Sequence, residues 1–306
     1  MEHAVLGAGA IGGLVGTAVA SLGEGVTVLV RPERLPGYPA NLSLERPSGA
    51  IAITAPAKVA ATLTNPVDVL WIATKTYQLR TALQAVQSLP RCIVPLLNGV
   101  DHVEFLRVHF GTHFGPHFGD DRVLPATIAV EAERIAPGRF VQRSPFVNLN
   151  LPASGEQVLG AIVARLRDLE FTCRFIQNEQ TLLWSKLCFL GPFALVTSAS
   201  GMNKGEIYAD AQWKRKLMSA MAEACAVAKA SGAEVDPAQV QAIHIQAIYD
   251  GLPAGIRSSM QKDVASSRRL ELDAIGGPIA RGGERYGIDV STTAALIAVI
   301  RAKATE

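Results

Sequence analysis

The sequence predicts an α/β N-terminal domain followed by an all-α C-terminal domain. In residues 1–178, short apolar runs typical of buried strands alternate with helical stretches. This alternation predicts right-handed βαβ crossovers and a parallel sheet. From about Glu179 onwards, strand-like runs nearly vanish and long helical stretches follow one another. We therefore place the domain boundary near residue 178, which gives domains of residues 1–178 and 179–306.

The predicted elements of the first domain are short strands and helices. Its apolar strands are expected over residues 3–6, 26–30, 67–73, 92–97, 140–151 and 173–176. Residues 41–54 alternate in polarity and contain a Pro-Ser-Gly turn, which favours a β-hairpin. Helices are expected over residues 11–22, 78–89 and 157–169. The second domain is predicted to consist of helices over residues 179–195, 211–231, 238–249, 258–285 and 292–302.

The composition favours a folded, soluble protein. Hydrophobic residues make up 49% of the 306 residues, which supports packed cores and argues against disorder. The net charge is only +2 and no dense basic cluster is present, so nucleic acid is not an expected partner. No apolar run comes near the roughly 18–20 residues of a membrane span, so no membrane association is expected. The N-terminus runs directly into a strand and the four cysteines are scattered, which predicts a cytoplasmic location.

The segment Gly7-Ala8-Gly9-Ala10-Ile11-Gly12 has GxGxxG spacing and lies between the first strand and the first helix. In this context the first glycine permits a tight turn and the second lets the backbone approach a pyrophosphate. The third permits close packing of helix on strand, and the helix N-terminus faces the phosphates. A glycine-rich structural turn is the alternative. The strand–helix context favours a Rossmann-type, dinucleotide-binding domain.

Arg31 indicates which dinucleotide this domain binds. A site that prefers NAD usually has Asp or Glu at the end of the second strand, where it binds the ribose 2′-hydroxyl. Here that position is occupied by Arg31, followed by Pro32. A guanidinium can pair with a 2′-phosphate, which a carboxylate would repel. NADP(H) is therefore the predicted cofactor, and an ordinary exposed arginine at a strand end is the alternative.

Two further polar residues follow predicted strands. Lys75 comes after the strand at 67–73, and Asn98 comes after the strand at 92–97. Open α/β sheets bind ligands beyond the carboxyl ends of their strands, so both are candidate ligand contacts. Each could equally be an exposed loop residue.

Residues 109–119 form a local repeat that contains three histidines. A metal site on a helix is one interpretation. However, the glycines and Pro116 in this segment break helices, and no fourth ligand is evident. An irregular surface loop is therefore predicted, and no metal site.

Two sequence blocks in the second half complete the set of candidate residues. Trp184-Ser185-Lys186-Leu187 lies on an apolar helix, where a lone lysine is usually a solvated side chain. The second block, residues 258–277, contains Ser259, Glu271 and a Gly-Gly pair. Taken in order with GxGxxG, Arg31, Lys75 and Asn98-Gly99, these blocks make the whole chain resemble the ketopantoate reductase (2-dehydropantoate 2-reductase) family.

The resemblance implies a Rossmann domain, a helical domain and an active site in the cleft between them. Lys186 then matches the family's catalytic proton donor, and Asn98 matches the residue that touches both cofactor and substrate. Lys75 matches a lysine on the cofactor side, Ser259 a serine that holds the substrate carboxylate, and Glu271 a glutamate at the cofactor ribose. Chemistry agrees with these roles, because a ketone that receives hydride develops an alkoxide that must be stabilised and protonated.

The residues at the substrate-binding positions depart from the family pattern. Well-known members carry asparagines four and eight residues after the catalytic lysine and another before a Gly-Glu pair. This chain has Leu190, Ala194 and Lys204 there. Leu and Ala cannot hydrogen-bond a substrate, whereas Lys204 can pair with a carboxylate. The chemistry is thus better defined than the identity of the 2-oxo acid.

These observations predict an NADPH-dependent reductase of a small-molecule 2-oxo acid, with ketopantoate as the substrate that the family implies. A related reductase of a more apolar oxo acid is the nearest alternative. A non-catalytic NADP(H)-binding sensor is an alternative of another class. Analogy with the family also suggests a homodimer formed through the helical half.

Overall fold

The computed structural model describes residues 1–47, 53–114, 122–242 and 255–304. The chain divides into two compact units. The first unit comprises residues 1–97 and 102–177. The second unit comprises residues 178–306 together with the short segment 98–101.

The first unit contains the strands. In chain order they are β1 (Glu2–Leu6), β2 (Gly25–Leu29), β3 (Asn41–Glu45), β4 (Ile53–Pro56), β5 (Lys58–Ala60), β6 (Val69–Ile72), β7 (Cys92–Pro95), β8 (Thr127–Ala129), β9 (Ala132–Ala136), β10 (Arg139–Gln142), β11 (Val147–Pro152) and β12 (Phe171–Ile176). Its helices are α1 (Ala10–Ser21), α2 (Leu79–Ala82), α3 (His102–Phe114) and α4 (Glu156–Asp168).

The central sheet of this unit has the order β5-β2-β1-β6-β7, and all its strand pairs are parallel. Strands β6 and β7 are buried along their whole length. Continuous apolar runs of this kind are typical of parallel strands covered on both faces. The predicted parallel sheet with flanking helices is confirmed.

Two smaller sheets complete the first unit, with the orders β4-β3-β10-β9 and β12-β11-β8. The predicted hairpin is confirmed by the antiparallel pairing of β3 with β4, although residues 48 and 49 of its turn lie outside the described residues. One hydrophobic core contains residues of all three sheets together with α1 and α4.

The prediction of one strand over residues 140–151 is wrong. Strands β10 and β11 belong to different sheets and are separated by residues 143–146. Two hydrogen bonds accompany the break: the Ser144 hydroxyl donates to the nearby Phe146 carbonyl, and the Arg143 amide donates to the carbonyl of Glu131, just before β9. Pro145 also lacks an amide donor for a ladder.

The helix predicted over residues 78–89 is also wrong. Only α2 is α-helical there, and 3₁₀ turns at Thr76–Gln78 and Leu83–Ala85 flank it. The backbone becomes extended at Val86, which bridges Leu63. The Leu63 amide donates to the Ala85 carbonyl, and this long-range pairing ends the helical segment.

All regular elements among the described residues of the second unit are helices. Its helices are α5 (Glu179–Ser200), α6 (Lys204–Ala209), α7 (Ala211–Ala230), α8 (Ser259–Ala265), α9 (Leu272–Ile275), α10 (Gly277–Tyr286) and α11 (Ser291–Ala304). Residues 237–242 are also helical, and the rest of the helix predicted over 238–249 lies outside the described residues. The prediction of an α/β half followed by an all-α half is confirmed.

The single helix predicted over residues 258–285 is wrong, because α8, α9 and α10 replace it. Helix α8 ends where the amides of Ser266 and Ser267 bond back to carbonyls of its last turn. Ser267 itself has a positive φ of 49°, which cannot continue a right-handed helix. Glu271 therefore immediately precedes a separate short helix, α9.

Helix α5 differs from the expectation that no segment of the chain is long and apolar enough to span a membrane. Among the described residues it is the one helix long and apolar enough to cross a membrane by length and composition. However, 78% of its most apolar 18-residue window is buried within the protein. Helix α5 is therefore the core helix of the second unit.

Candidate active site

The glycine loop, residues 7–12, joins β1 to α1 in the first unit. Gly7 has a φ of 103°, and a Cβ atom there would lie 2.8 Å from the backbone of Ala73, just beyond β6. A Cβ atom on Gly12 would lie 2.2 Å from the Gly7 carbonyl oxygen. Side chains at these two positions are therefore excluded by the close approach of β1, β6 and α1.

The loop fits the phosphate groups of a dinucleotide. A Cβ atom on Gly9 would meet no protein atom within 4 Å, so open space lies over the loop. Within the described part of the chain no side chain caps the N-terminus of α1, which leaves the amides of its first turn, including Ala10 and Ile11, for an anion. In addition, the Thr74 hydroxyl beside Gly7 is buried without a hydrogen-bond partner among the described residues. No sequence motif marks Thr74 as a candidate residue.

Arg31 and Lys75 follow strands of the same parallel sheet. Arg31 lies just beyond β2 in extended backbone, and its guanidinium is exposed, with Glu33 Oε1 3.9 Å from Nη1. Lys75 lies three residues beyond β6, also in extended backbone, and is half-buried before the turn Thr76–Gln78. Both residues therefore lie at the carboxyl edge of the sheet, where the sequence places them.

Asn98 and Lys186 meet in the second unit. The Lys186 amine donates a hydrogen bond of 3.0 Å to Asn98 Oδ1. Lys186 projects from α5 between the buried residues Trp184, Leu187 and Cys188. The two partners are 88 positions apart, so their contact is a product of the fold.

The amine of Lys186 has a perturbed pKa. Desolvation lowers its pKa from an ordinary value of 10.5 to about 8, and attraction to Glu271 opposes this decrease. Glu271 is itself buried, and it immediately precedes α9. A lysine with a pKa close to neutral can act as a general acid, because it carries a proton yet releases it readily.

The segment that carries Asn98 is fixed against α9 and α10. Gly99 has a φ of 84°, and a Cβ atom there would lie 2.2 Å from the Ala274 carbonyl oxygen. Arg281 of α10 pairs with Asp101 and also donates to Asp273 Oδ1 at 2.8 Å. These contacts hold the segment 98–101. Neither Asp101 nor Arg281 belongs to a motif that the sequence reveals.

The two residues expected to bind the substrate differ in exposure. Ser259 is exposed in the first turn of α8, whereas its neighbour Ser258 is buried and caps that helix through the Gln261 amide. Lys204 is buried at the start of α6, and desolvation lowers its pKa. A buried ammonium of this kind is a suitable partner for a carboxylate.

Leu190 and Ala194 lie four and eight residues after Lys186 on α5. This spacing places all three residues along one side of the helix. Leu190 is half-buried, and Ala194 is 1% exposed. The side of α5 that continues from the amine of Lys186 is therefore apolar.

The irregular loop predicted over residues 109–119 is wrong for its first part. Helix α3 continues through His109 and His113, whose ring centroids are 4.4 Å apart. The spacing of four residues places both rings on one face of the helix. The rest of the repeat, including Pro116 and the third histidine, lies outside the described residues. Within the part of the chain that the structure describes, no three potential ligands cluster as a metal site.

Comparisons with known proteins show the family to which the chain belongs. The family model described as "Ketopantoate reductase PanE/ApbA" matches residues 3–154, and "Ketopantoate reductase PanE/ApbA C terminal" matches residues 178–304. A 2-dehydropantoate 2-reductase of Caulobacter vibrioides is 31% identical over 98% of both chains.

Solved structures share the fold over the whole chain. A PanE/ApbA family ketopantoate reductase from Ralstonia eutropha has a TM-score of 0.83 at 23% identity, covering 100% of this chain and 99% of its own. D-mandelate dehydrogenase, in a ternary structure with NADH and anilino(oxo)acetate, also has a TM-score of 0.83, at 21% identity and with 100% and 98% coverage. The chain belongs to the ketopantoate reductase family, whose members are NADP-dependent oxidoreductases that act on CH–OH groups.

Proposed function

We propose that this protein reduces 2-dehydropantoate (ketopantoate) to pantoate with NADPH, a step in the biosynthesis of pantothenate and coenzyme A. The pairing of Lys186 with Asn98 is the observation that carries the proposal. A desolvated lysine held by an amide can supply the proton that the carbonyl oxygen of a ketone must gain on reduction. We assign nucleotide binding to residues 1–178 and catalysis to residues 179–306.

The glycine loop, Arg31 and Lys75 are the proposed binding residues for NADP(H). The amides of the loop and of the first turn of α1 would take the pyrophosphate. Arg31 would pair with the 2′-phosphate, and Lys75 would contact the cofactor at the neighbouring strand end. When bound, NADPH supplies the hydride that the carbonyl carbon accepts.

Lys186 is the proposed catalytic proton donor. Its ammonium would stabilise the developing alkoxide and transfer one proton to it, which leaves a neutral amine that solvent protonates again. Asn98 orients the amine through the hydrogen bond to Oδ1 and is also proposed to contact cofactor and substrate. Glu271 favours the protonated amine by attraction, in addition to its proposed contact with the cofactor ribose.

The carboxylate of the substrate is assigned to Ser259 and Lys204. Lys204 offers a buried positive charge, and Ser259 offers an exposed hydroxyl in the first turn of α8. A 2-oxo acid carries its carboxylate next to the reacting carbonyl. These two residues would therefore hold the end of the substrate that every 2-oxo acid shares.

The test is NADPH oxidation at 340 nm with ketopantoate, for the wild type, Lys186→Ala and Lys229→Ala. Lys229 is an exposed lysine of α7 in the same unit, so it controls for loss of a charge. Loss of a positioned general acid typically lowers the rate by about 10²–10⁴-fold. We expect that loss in Lys186→Ala alone, and equal rates in all three proteins would contradict the assignment.

A reductase of a more apolar 2-oxo acid is the second candidate, and Leu190 and Ala194 favour it. Neither side chain can hydrogen-bond a substrate hydroxyl, and both lie along the side of α5 that carries Lys186. D-mandelate dehydrogenase, which shares the fold, is named for an aromatic 2-hydroxy acid. A panel that includes benzoylformate and branched aliphatic 2-oxo acids separates the candidates by kcat/KM.

The outcomes of the panel are distinct. Ketopantoate as the substrate with the highest kcat/KM supports the first candidate and shows that polar groups at positions 190 and 194 are dispensable. Preference for an apolar acid supports the second candidate. Binding of NADPH without turnover of any acid would contradict both and would indicate a sensor.

A further inference from the structure

A groove of about 430 Å³ in the first unit contains two arginines that the proposed function leaves unused. Arg34 lies on one side, in the 3₁₀ turn that follows Arg31, and Arg134 of β9 lies on the other. Tyr38 contributes an aromatic ring to the same groove.

The groove adjoins the glycine loop. Arg134 Nη1 donates a hydrogen bond of 3.2 Å to the carbonyl oxygen of Ala8, the second residue of the loop. Arg34 lies only three residues beyond Arg31. In Rossmann-type domains the pyrophosphate lies over the glycine loop and the adenosine ribose lies at the end of the second strand. The groove therefore adjoins both places.

No carboxylate among the described residues neutralises the charge in the groove. Arg34 and Arg134 form no ion pair with a carboxylate among the residues that the structure describes. Arg31, in contrast, has the carboxylate of Glu33 3.9 Å away. Two guanidiniums that line one groove repel each other, and a phosphate monoester carrying nearly two negative charges would relieve that repulsion.

The walls of the groove are held together independently of these arginines. The Ser43 amide donates to the carbonyl of Gly138, and a Cβ atom on Gly138 would lie 2.3 Å from Pro39 Cγ. The turn after β9 and the segment after Arg34 are thus in close contact. Replacement of either arginine should leave the shape of the groove intact.

We propose that Arg34 and Arg134 bind the 2′-phosphate of NADP(H) together with Arg31, and so determine the preference for this cofactor over NAD(H). The inference rests on the proposed binding of NADP(H) to this unit. It assigns Arg134 two functions: one nitrogen braces the glycine loop through Ala8, and the remaining N–H groups are donors for the phosphate.

The test measures dissociation constants, without turnover, for NADPH, NADH, 2′,5′-ADP and 5′-AMP. The proteins are the wild type, Arg34→Gln, Arg134→Gln and Arg143→Gln. Arg143 is a matched control, because it is an exposed arginine just beyond β10 that pairs with Glu133 of β9 at 2.9 Å. Loss of one charged hydrogen-bond donor to a phosphate should weaken binding about tenfold to hundredfold.

We expect that loss for NADPH and 2′,5′-ADP in both Arg34→Gln and Arg134→Gln. Binding of NADH and 5′-AMP should change by less than about twofold in Arg34→Gln. In Arg134→Gln, NADH should lose less affinity than NADPH, because loss of the bond to Ala8 affects both dinucleotides and loss of the phosphate contact affects NADPH alone. Equal weakening of NADPH and NADH binding in Arg134→Gln would overturn the inference. Arg134 would then only hold the glycine loop in place through Ala8. Unchanged affinities in both variants would also overturn it. Failure of the wild type to bind NADPH would instead overturn the proposed function.

Discussion

Lys186 illustrates how the surroundings of one residue set its chemistry. Burial lowers its pKa to about 8, while Glu271 limits the decrease. A proton donor acts only while protonated, so kcat/KM should be constant at lower pH and fall as pH rises through about 8.

The Glu271→Gln variant tests the cause of this profile. Removal of the carboxylate removes the attraction that keeps the Lys186 amine protonated, so the descending limb should move to lower pH. The measurement is a pH profile of kcat/KM for the wild type and the variant. A limb that stays in place or moves to higher pH would contradict the assigned coupling.

His3 predicts a dependence of stability on pH. It is fully buried, it accepts a hydrogen bond of 3.1 Å from Trp71 Nε1 at Nδ1, and desolvation lowers its pKa from 6.5 to about 4. The unfolded chain therefore binds a proton in the window from about pH 6.5 to about pH 4 that the folded protein does not. Stability should fall as pH decreases through this window, by up to roughly 3 kcal/mol.

Urea unfolding at pH 7 and pH 5, for the wild type and His3→Asn, measures this effect. The variant has no titrating ring at position 3, so its midpoint should depend less on pH. The same loss of stability in both proteins would show that other groups cause it.

At the scale of elements, the segment 98–101 fixes the position of Asn98. Gly99→Ala would place a methyl group 2.2 Å from the Ala274 carbonyl oxygen, which forces the segment to move. We expect a lower kcat, because Asn98 would no longer be positioned to accept the hydrogen bond from the Lys186 amine. Gly201→Ala is the control, because Gly201 has a similar φ of 78° with no atom within 4 Å of the added Cβ. Equal losses of activity in both variants would indicate backbone strain alone.

Helix α11 depends on one buried carboxylate of α7. Glu223 accepts hydrogen bonds from the amides of Thr292 and Thr293, at 2.9 and 2.8 Å, and so satisfies the first turn of α11. Glu223→Ala should lower the free energy of unfolding by about 1–3 kcal/mol, because two amides lose their acceptor. Glu284→Ala, at an exposed position of α10, should change it by less than about 0.5 kcal/mol. Chemical denaturation compares the two variants.

At the scale of the whole molecule, the candidate residues form two sets, each within one compact unit. The glycine loop, Arg31, Lys75 and the arginine groove belong to the first unit. Asn98, Lys186, Glu271 and Lys204 belong to the second. The short segment 98–101 is grouped with the helical residues although it follows a strand of the central sheet.

Binding of the cofactor should stabilise the native protein. At a concentration about 100 times its Kd, a ligand adds about 2.7 kcal/mol to the free energy of unfolding. NADPH should therefore raise the Tm by several degrees, and NADH at the same concentration should raise it less, because it lacks the 2′-phosphate. Thermal unfolding with each dinucleotide measures this difference, and an equal or larger shift with NADH would contradict the predicted preference.

The local pattern of the sequence was sufficient for the fold class. Strands β6 and β7 of the parallel sheet are continuous apolar runs, and GxGxxG fits one context, the turn from β1 into α1. The same local patterns failed at residues 78–89, 140–151 and 258–285, where a predicted element is broken. In each case the break depends on hydrogen bonds, strand pairing or backbone geometry that periodicity does not encode.

The sequence by itself determined the two-part architecture, the family and the kinds of side chain available for the chemistry. Only the tertiary structure brought Lys186 to Asn98 across 88 positions and Arg134 to Ala8 across 126. It also made Lys186 half-buried, which lowers its pKa. The physical reason is that periodicity and turn residues report interactions between near neighbours in the chain, whereas desolvation and side-chain pairing depend on how distant elements pack.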